Sequence, residues 1–232
     1  MAQTNEITEE VVHINGYPKR LVIFLHGYID SAPSLEKRIS ALIEGLDNTA
    51  FHLPQAPILC EIHEAKRQWY SMHRFDPDDE RKTAPTMADY VKIYNRMRPG
   101  IEEAVYLLND YIENCVQQYQ IPYENVYICG FSQGATLAMY LSLMTEHKIG
   151  GCVEFSGILA PDDFLRKHFV SAPDFLLIHG TADNMVRFEA LDFTQKELQK
   201  IGCKTETLAV KNANHRITPE GIAAAIKFIS KR

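Results

Sequence analysis

Short apolar runs rich in β-branched and aromatic residues alternate along the chain with longer stretches in which apolar residues recur every three or four positions. The short runs, at 11–14, 21–25, 50–53, 126–129, 152–155, 175–178 and 206–210, read as strands. Leu21, Val22, Ile23, Phe24 and Leu25 are continuously apolar, which suits a strand covered on both faces. Asn15-Gly16, between the first two runs, predicts a β-hairpin joining them. Ile101, Ala104, Val105, Leu108, Ile112 and Cys115 repeat at helical steps behind Pro99, a residue at home in a first helical turn. The segment 133–144 is apolar nearly all round and predicts a buried helix. Thr218-Pro219-Glu220 offers an N-cap, a first-turn proline and an early acid for a last helix, whose inward face carries Ile222, Ala225, Ile226 and Ile229. Strands alternating with helices predict right-handed βαβ units: an α/β fold with a mostly parallel central sheet and helices on both faces.

With no internal repeat and no Gly/Ser-rich linker, residues 1–232 are expected to form one domain. Residues 63–98 break the alternation and are expected to make an irregular excursion near the active site, with the acid-rich residues 76–80 in a solvated loop. The net charge of -6 argues against a nucleic-acid partner, whose footprint is basic. No apolar run approaches the roughly 18 residues that cross a bilayer, and the opening MAQTNEITEE lacks the apolar core of a secretory signal. The cytoplasm is the expected location. Five scattered cysteines without a C-x-x-C pair read as free thiols. Neither zinc-protease, dinucleotide nor P-loop signatures occur, so the expected chemistry needs no cofactor.

The chemistry-bearing pattern is Gly130-Phe131-Ser132-Gln133-Gly134, a G-x-S-x-G between a predicted strand and a predicted helix. A serine on that sharp turn is pushed clear of the sheet as a nucleophile. Serine attacks only when a base takes its proton, and the base needs an acid to orient it. In α/β-hydrolases these follow in the order serine, acid, histidine at later strand ends. Asp183 leaves the end of the 175–178 strand, whereas Asp174 lies at its beginning and Asp192 falls within the next helix. His215 follows the 206–210 strand, and no other histidine comes after Asp183. His179 reads as structural. Two main-chain donors must receive the developing oxyanion: the N–H of Gln133 and, from the turn after the first buried strand, that of Tyr28. Trp69 and Tyr70 are candidate walls of an acyl or alcohol pocket, with plain packing as the alternative.

These residues resemble the phospholipase/carboxylesterase and acyl-protein thioesterase family of α/β-hydrolases. The resemblance runs from about Leu21 to the C-terminus and rests on FLHGY, LPQAP, QWY, ICGFSQGATLA, HGTAD and the late Asn214-His215. It implies a cofactor-free serine hydrolase of carboxylic esters or thioesters, frequently a homodimer, with Ser132, Asp183 and His215 as triad, Tyr28 and Gln133 as oxyanion donors, and Trp69 at the site wall. Two departures stand where substrate binds. The usual H-G-L-G-D is His26-Gly27-Tyr28-Ile29-Asp30 here, and the usual W-F-D is Trp69-Tyr70-Ser71. The same residues would serve an acyltransferase, since the acyl-enzyme is common to both reactions. A non-catalytic binding module on this fold is expected to lack a triad member.

Overall fold

The computed structural model describes Ile7 and residues 10–231. Most of the opening MAQTNEITEE, on which the expectation of no secretory signal rests, therefore lies outside the described residues. The strands are β1 (Glu10–Asn15), β2 (Arg20–Leu25), β3 (Thr49–Pro54), β4 (Ile58–Cys60), β5 (His63–Gln68), β6 (Val126–Phe131), β7 (Gly151–Phe155), β8 (Phe175–Gly180) and β9 (Thr205–Val210). The helices are α1 (Ala32–Arg38), α2 (Ser40–Glu44), α3 (Met72–Phe75), α4 (Glu80–Thr83), α5 (Met87–Arg96), α6 (Arg98–Tyr119), α7 (Gln133–Met144), α8 (Asp163–His168), α9 (Glu189–Lys200) and α10 (Pro219–Ile229). Among the described residues, a seven-stranded sheet runs β1-β3-β2-β6-β7-β8-β9, parallel throughout except for β1.

The alternation of side chains along β2 builds both layers. Leu21, Ile23 and Leu25 face a core shared with α6 and α7, whereas Val22 and Phe24 face one shared with α1, α2 and α10. The uniformly apolar α7 is buried along its whole length, as its sequence predicts. Thr218 caps α10 through its hydroxyl, which accepts from the Gly221 N–H at 3.1 Å. The buried face of that helix adds Phe228 to the predicted set and leaves Ile226 half-buried.

The predicted hairpin does not form. β1 lies antiparallel to β3, and both edges of β2 are taken by β3 and β6. The turn at Gly16 exists, with φ +69°, but residues 16–19 step across β3 instead of pairing the two runs. Four extended residues span about 13 Å, enough to pass one intervening strand at about 10 Å. Burial decides the order: apolar β2 takes an inner position, and half-exposed β1 takes the edge. Residues 63–98 also differ from the irregular stretch expected. They hold β5, paired with β4, and helices α3, α4 and α5. Nor is the acid run a solvated loop throughout. Asp76 is buried, accepts from the Glu80 N–H at 2.7 Å and pairs with Arg81 at 2.5 Å.

Candidate active site

Ser132 sits between β6 and α7 with φ +56° and ψ −117°, a conformation L residues adopt only when surroundings enforce it. Two glycines make the enforcement possible. A Cβ on Gly130 would overlap the Gly134 carbonyl, and one on Gly134 would overlap the carbonyls of Leu25 and His26 at the end of β2. Gly134→Ala is therefore expected to cost about 3 kcal/mol or more of stability, by displacing α7 from β2. Urea denaturation checks this; a loss below 1 kcal/mol would show that the contact yields easily.

β8 and β9 deliver the other two side chains from their carboxyl ends. His215 Nε2 lies 2.9 Å from Ser132 Oγ, and its Nδ1 lies 2.8 Å from Asp183 Oδ2. The second Asp183 oxygen, Oδ1, accepts from the N–H groups of Met185 and Val186, both at 2.9 Å. Burial alone would raise this carboxyl's pKa. The hydrogen bond and charge of His215, with the two amides, outweigh burial and hold it below the usual value. The imidazole of His215 packs on Phe131, centroids 4.8 Å apart, and Arg38 lies over the same ring. Ser132, His215 and Asp183 are thus joined as the sequence pattern anticipates. His179, the histidine set aside, is buried beside them and bonds the Val186 carbonyl at 3.0 Å.

The turn after β2 is held in place by a neutral histidine. Burial pushes His26 down to about 4. Its Nε2 accepts from the Ala56 N–H at 3.1 Å, which leaves Nδ1 to carry the proton toward the Gly27 carbonyl at 2.8 Å. Gln133 is the first residue of α7, where main-chain N–H groups have no intrahelical acceptor. Its side-chain amide accepts from the Trp69 N–H at 2.9 Å and donates to the Tyr70 carbonyl at 2.8 Å. Trp69 Nε1 donates to the His26 carbonyl at 2.8 Å. The segment 69–70 therefore clamps the two backbone turns that flank Ser132.

The two aromatics part company at the cavities. Tyr70 lines the small cavity that contains Ser132, together with Tyr28, Gln133, Thr136, Arg81 and Tyr94. Trp69 does not line it; it faces a larger cavity of about 660 Å³ between β4 and α6, which Tyr70 also borders. Sequence reasoning missed Arg81 and Tyr94, both carried by the excursion. A signal for the second existed: Thr86, which accepts from the Asp89 N–H at 3.1 Å, opens a helix on which Tyr90, Ile93 and Tyr94 share a buried face.

Below the site, the loop after β7 hangs from three buried side chains. Gly157 N–H donates to Glu154 Oε2 at 2.7 Å, Ile158 N–H to Thr136 at 3.3 Å, and Leu159 N–H to Thr194 at 3.1 Å. Burial raises Glu154 to about 8, with the Asp183 charge adding to the effect. In that interval the unfolded chain has lost this proton and the folded chain keeps it, so stability falls as pH rises from about 4.5 to 8. Glu154→Gln keeps the acceptor and should flatten this slope, gaining stability relative to wild type at pH 8. Parallel urea curves at pH 5 and pH 8 test it; an unchanged slope would place the ionisation elsewhere.

Among the described residues, no group of three or more His, Cys, Asp or Glu converges as a metal site, and no helix is long and apolar enough to cross a membrane.

A nucleophile-elbow serine on a doubly covered parallel sheet, with acid and base on the following strand ends, defines an α/β-hydrolase fold. The chain is 33% identical over 133 residues to "Acyl-protein thioesterase 1 homolog 1" of Dictyostelium discoideum, an alignment covering 56% of this chain and 59% of that one. It is 28% identical over 203 residues to "Acyl-protein thioesterase 1 homolog 2" of the same organism, covering 84% of each. The crystal structure of esterase PE8 superposes with a TM-score of 0.81 at 24% identity, covering 95% of this chain and 96% of that one. The model of the Phospholipase/Carboxylesterase family matches residues 7–232. The chain belongs to that family of carboxylic ester hydrolases.

Proposed function

We propose that this protein cleaves carboxylic esters or thioesters through an acyl-enzyme on Ser132. The reading rests above all on the unbroken path from Ser132 Oγ through both nitrogens of His215 to Asp183. Ser132 Oγ attacks the acyl carbon as His215 Nε2 takes its proton, and Asp183 holds and stabilises the imidazolium. The main-chain N–H groups of Tyr28 and Gln133 receive the negative charge on the former carbonyl oxygen. The C–O or C–S bond then breaks, and the leaving alkoxide or thiolate departs with the proton held by His215. Water, deprotonated by the same nitrogen, attacks the acyl-enzyme; the acid is released and Ser132 regains its hydrogen. Tyr70 borders the acyl group, and Trp69 acts behind it by fixing the turns that carry both oxyanion donors.

Names of the relatives favour the thioester branch, because two of them are called acyl-protein thioesterases. We read the chain as one catalytic domain working in the cytoplasm, and analytical ultracentrifugation decides whether two copies associate. Hydrolysis of p-nitrophenyl esters from acetate to palmitate tests the reaction. Turnover at some chain length is expected, and its absence across the series would contradict the reading.

A further inference from the structure

Two buried side chains near Asp183 each keep one polar atom without a partner among the described residues: His179 Nδ1 and Glu154 Oε1. The other end of each side chain is engaged. His179 Nε2 lies 3.0 Å from the Val186 carbonyl, which can only accept, so that nitrogen carries the hydrogen. Burial pushes the pKa of His179 down and keeps the ring neutral, which leaves Nδ1 a bare lone pair. Glu154 Oε2 accepts from the Gly157 N–H at 2.7 Å, and the acid, raised to about 8, is protonated at pH 7. Its hydrogen therefore sits on Oε1. One side chain has a donor to spare and the other an acceptor, and a buried group left unmatched is costly.

The sheet brings the two together. Glu154 on β7 is level with Leu177 on β8, and Phe155 with Ile178, so His179 stands level with residue 156. Cys152 and Leu177 face one core while Val153, Phe155 and Ile178 face the other, which puts Glu154 and His179 on the same side of the sheet as Leu177. The Glu154 side chain runs forward to Gly157, past the level of His179 on a strand about 4.8 Å away. The carboxyl thus lies alongside the imidazole, and the terminal torsions of both side chains are broad enough to turn Oε1 onto Nδ1.

We propose that Glu154 donates its carboxylic hydrogen to His179 Nδ1 and so acts as a positioning residue for Asp183. His179 is the link. Its Nε2 lies 3.5 Å from Asp183 Oδ2 and holds the Val186 carbonyl, while the N–H of the same Val186 holds Asp183 Oδ1. With Nδ1 engaged as an acceptor, the ring hydrogen stays on Nε2. Moved to Nδ1, it would set a lone pair against both the Val186 carbonyl and Asp183 Oδ2, and so loosen the acid that orients His215. The inference rests on Ser132, His215 and Asp183 carrying the reaction. Other charges around the pair are few. Asp183 acts on Glu154, and Asp183, His215 and Glu189 of α9 act on His179. Cys152, on the same strand as Glu154, is a buried thiol whose pKa burial pushes up. The hydroxyls of Thr136 on α7 and Thr194 on α9 are taken by the N–H groups of Ile158 and Leu159.

Glu154→Gln supplies the donor at every pH, because its oxygen accepts from Gly157 while its amide faces Nδ1; Glu154→Met supplies none. In wild type the donor is lost as pH rises through about 8. Wild-type kcat should then fall about tenfold from pH 7 to pH 9, within the roughly 10²-fold that a 1 Å misplacement of a reacting group costs, with KM little changed. Glu154→Met should show that loss already at pH 7, and Glu154→Gln should rescue kcat and remove the alkaline fall. An equally deep alkaline fall in Glu154→Gln overturns the proposal and leaves the hydrolase reading intact. Nitrogen-15 spectra of the histidine rings in Ser132→Ala read the pair without turnover. His179 should carry its hydrogen on Nε2 at pH 7 and share it with Nδ1 at pH 9, and adding Glu154→Gln should abolish the change. A His179 ring that is the same at both pH values with Glu154 present contradicts the proposal. Wild-type protein without any ester turnover would instead sink the hydrolase reading, and the ring spectra would still judge the pair.

Discussion

Ser132→Ala is expected to lower kcat by about 10⁶-fold, because members of such a triad act as a unit and the whole advantage goes with the nucleophile. KM should move little, since the cavity walls and the main-chain donors stay in place. The fold should survive as well. Ser132 and Ala both carry a Cβ, so the backbone at φ +56° and ψ −117° is equally strained in either protein. Ser132→Gly provides a control of a different kind. It should be just as inactive but more stable, by about 1 kcal/mol, because glycine takes this conformation without the steric cost. Steady-state kinetics beside urea denaturation separate the two effects. A Ser132→Ala protein retaining a tenth of wild-type kcat would end the account, and a Ser132→Gly protein less stable than Ser132→Ala would remove the strain from it.

Asp183→Asn should cost less, about 10⁴-fold in kcat, and the reason lies in how this carboxylate is held. Its Oδ1 takes two main-chain N–H groups, from Met185 and Val186, so the oxygen of an asparagine is captured there. The amide nitrogen then faces His215 Nδ1 and donates to it. The imidazole proton is driven to Nε2, where it points at Ser132 and cannot accept the serine's hydrogen. The variant also loses a contribution to stability. A carboxyl whose pKa is depressed by folding stabilises the protein above its unfolded value and loses that effect as pH falls through the folded one. Asp183→Asn should therefore show a shallower decline in stability on acidification than wild type. A fall in kcat below tenfold would mean that His215 keeps its tautomer without Asp183.

The parts of this molecule that sequence reveals are those set by local rules. G-x-S-x-G works as a signal because Gly130 and Gly134 are demanded by backbone packing within a few residues, whatever the rest of the chain does. Asp183 and His215 were legible from their places just past β8 and β9, since a parallel sheet puts all such ends along one rim. Local rules fail where partners are distant in sequence. Asn15-Gly16 does turn the chain, yet nothing near it says that β3 will insert between β1 and β2. The charged residues 76–82 look solvated because burial of Asp76 depends on the Arg81 pair and on helices that close over it. Trp69 and Tyr70 are adjacent in sequence and both border the larger cavity, but Gln133 grips the Trp69 N–H and the Tyr70 carbonyl, and of the two only Tyr70 reaches the Ser132 cavity.

The departures from the family's usual residues also acquire a physical setting. Tyr28, where leucine is common, adds a phenol to the wall of the Ser132 cavity. Ile29 takes φ +56°, a conformation costly for a β-branched residue, so the turn that bears Tyr28 is held under strain. Ser71, where aspartate is usual, caps α3 by accepting from the Arg74 N–H at 2.9 Å, the start of the segment that carries Arg81 and Tyr94 over the site.

Turnover through Ser132 requires that this serine become covalently modified. A fluorophosphonate probe, followed by peptide mapping in a mass spectrometer, tests it most directly. A single adduct on Ser132 is expected in the folded protein, and none in Ser132→Ala or after unfolding in urea. An adduct on another residue, or ester turnover that continues in protein carrying no adduct after saturation with the probe, would contradict it.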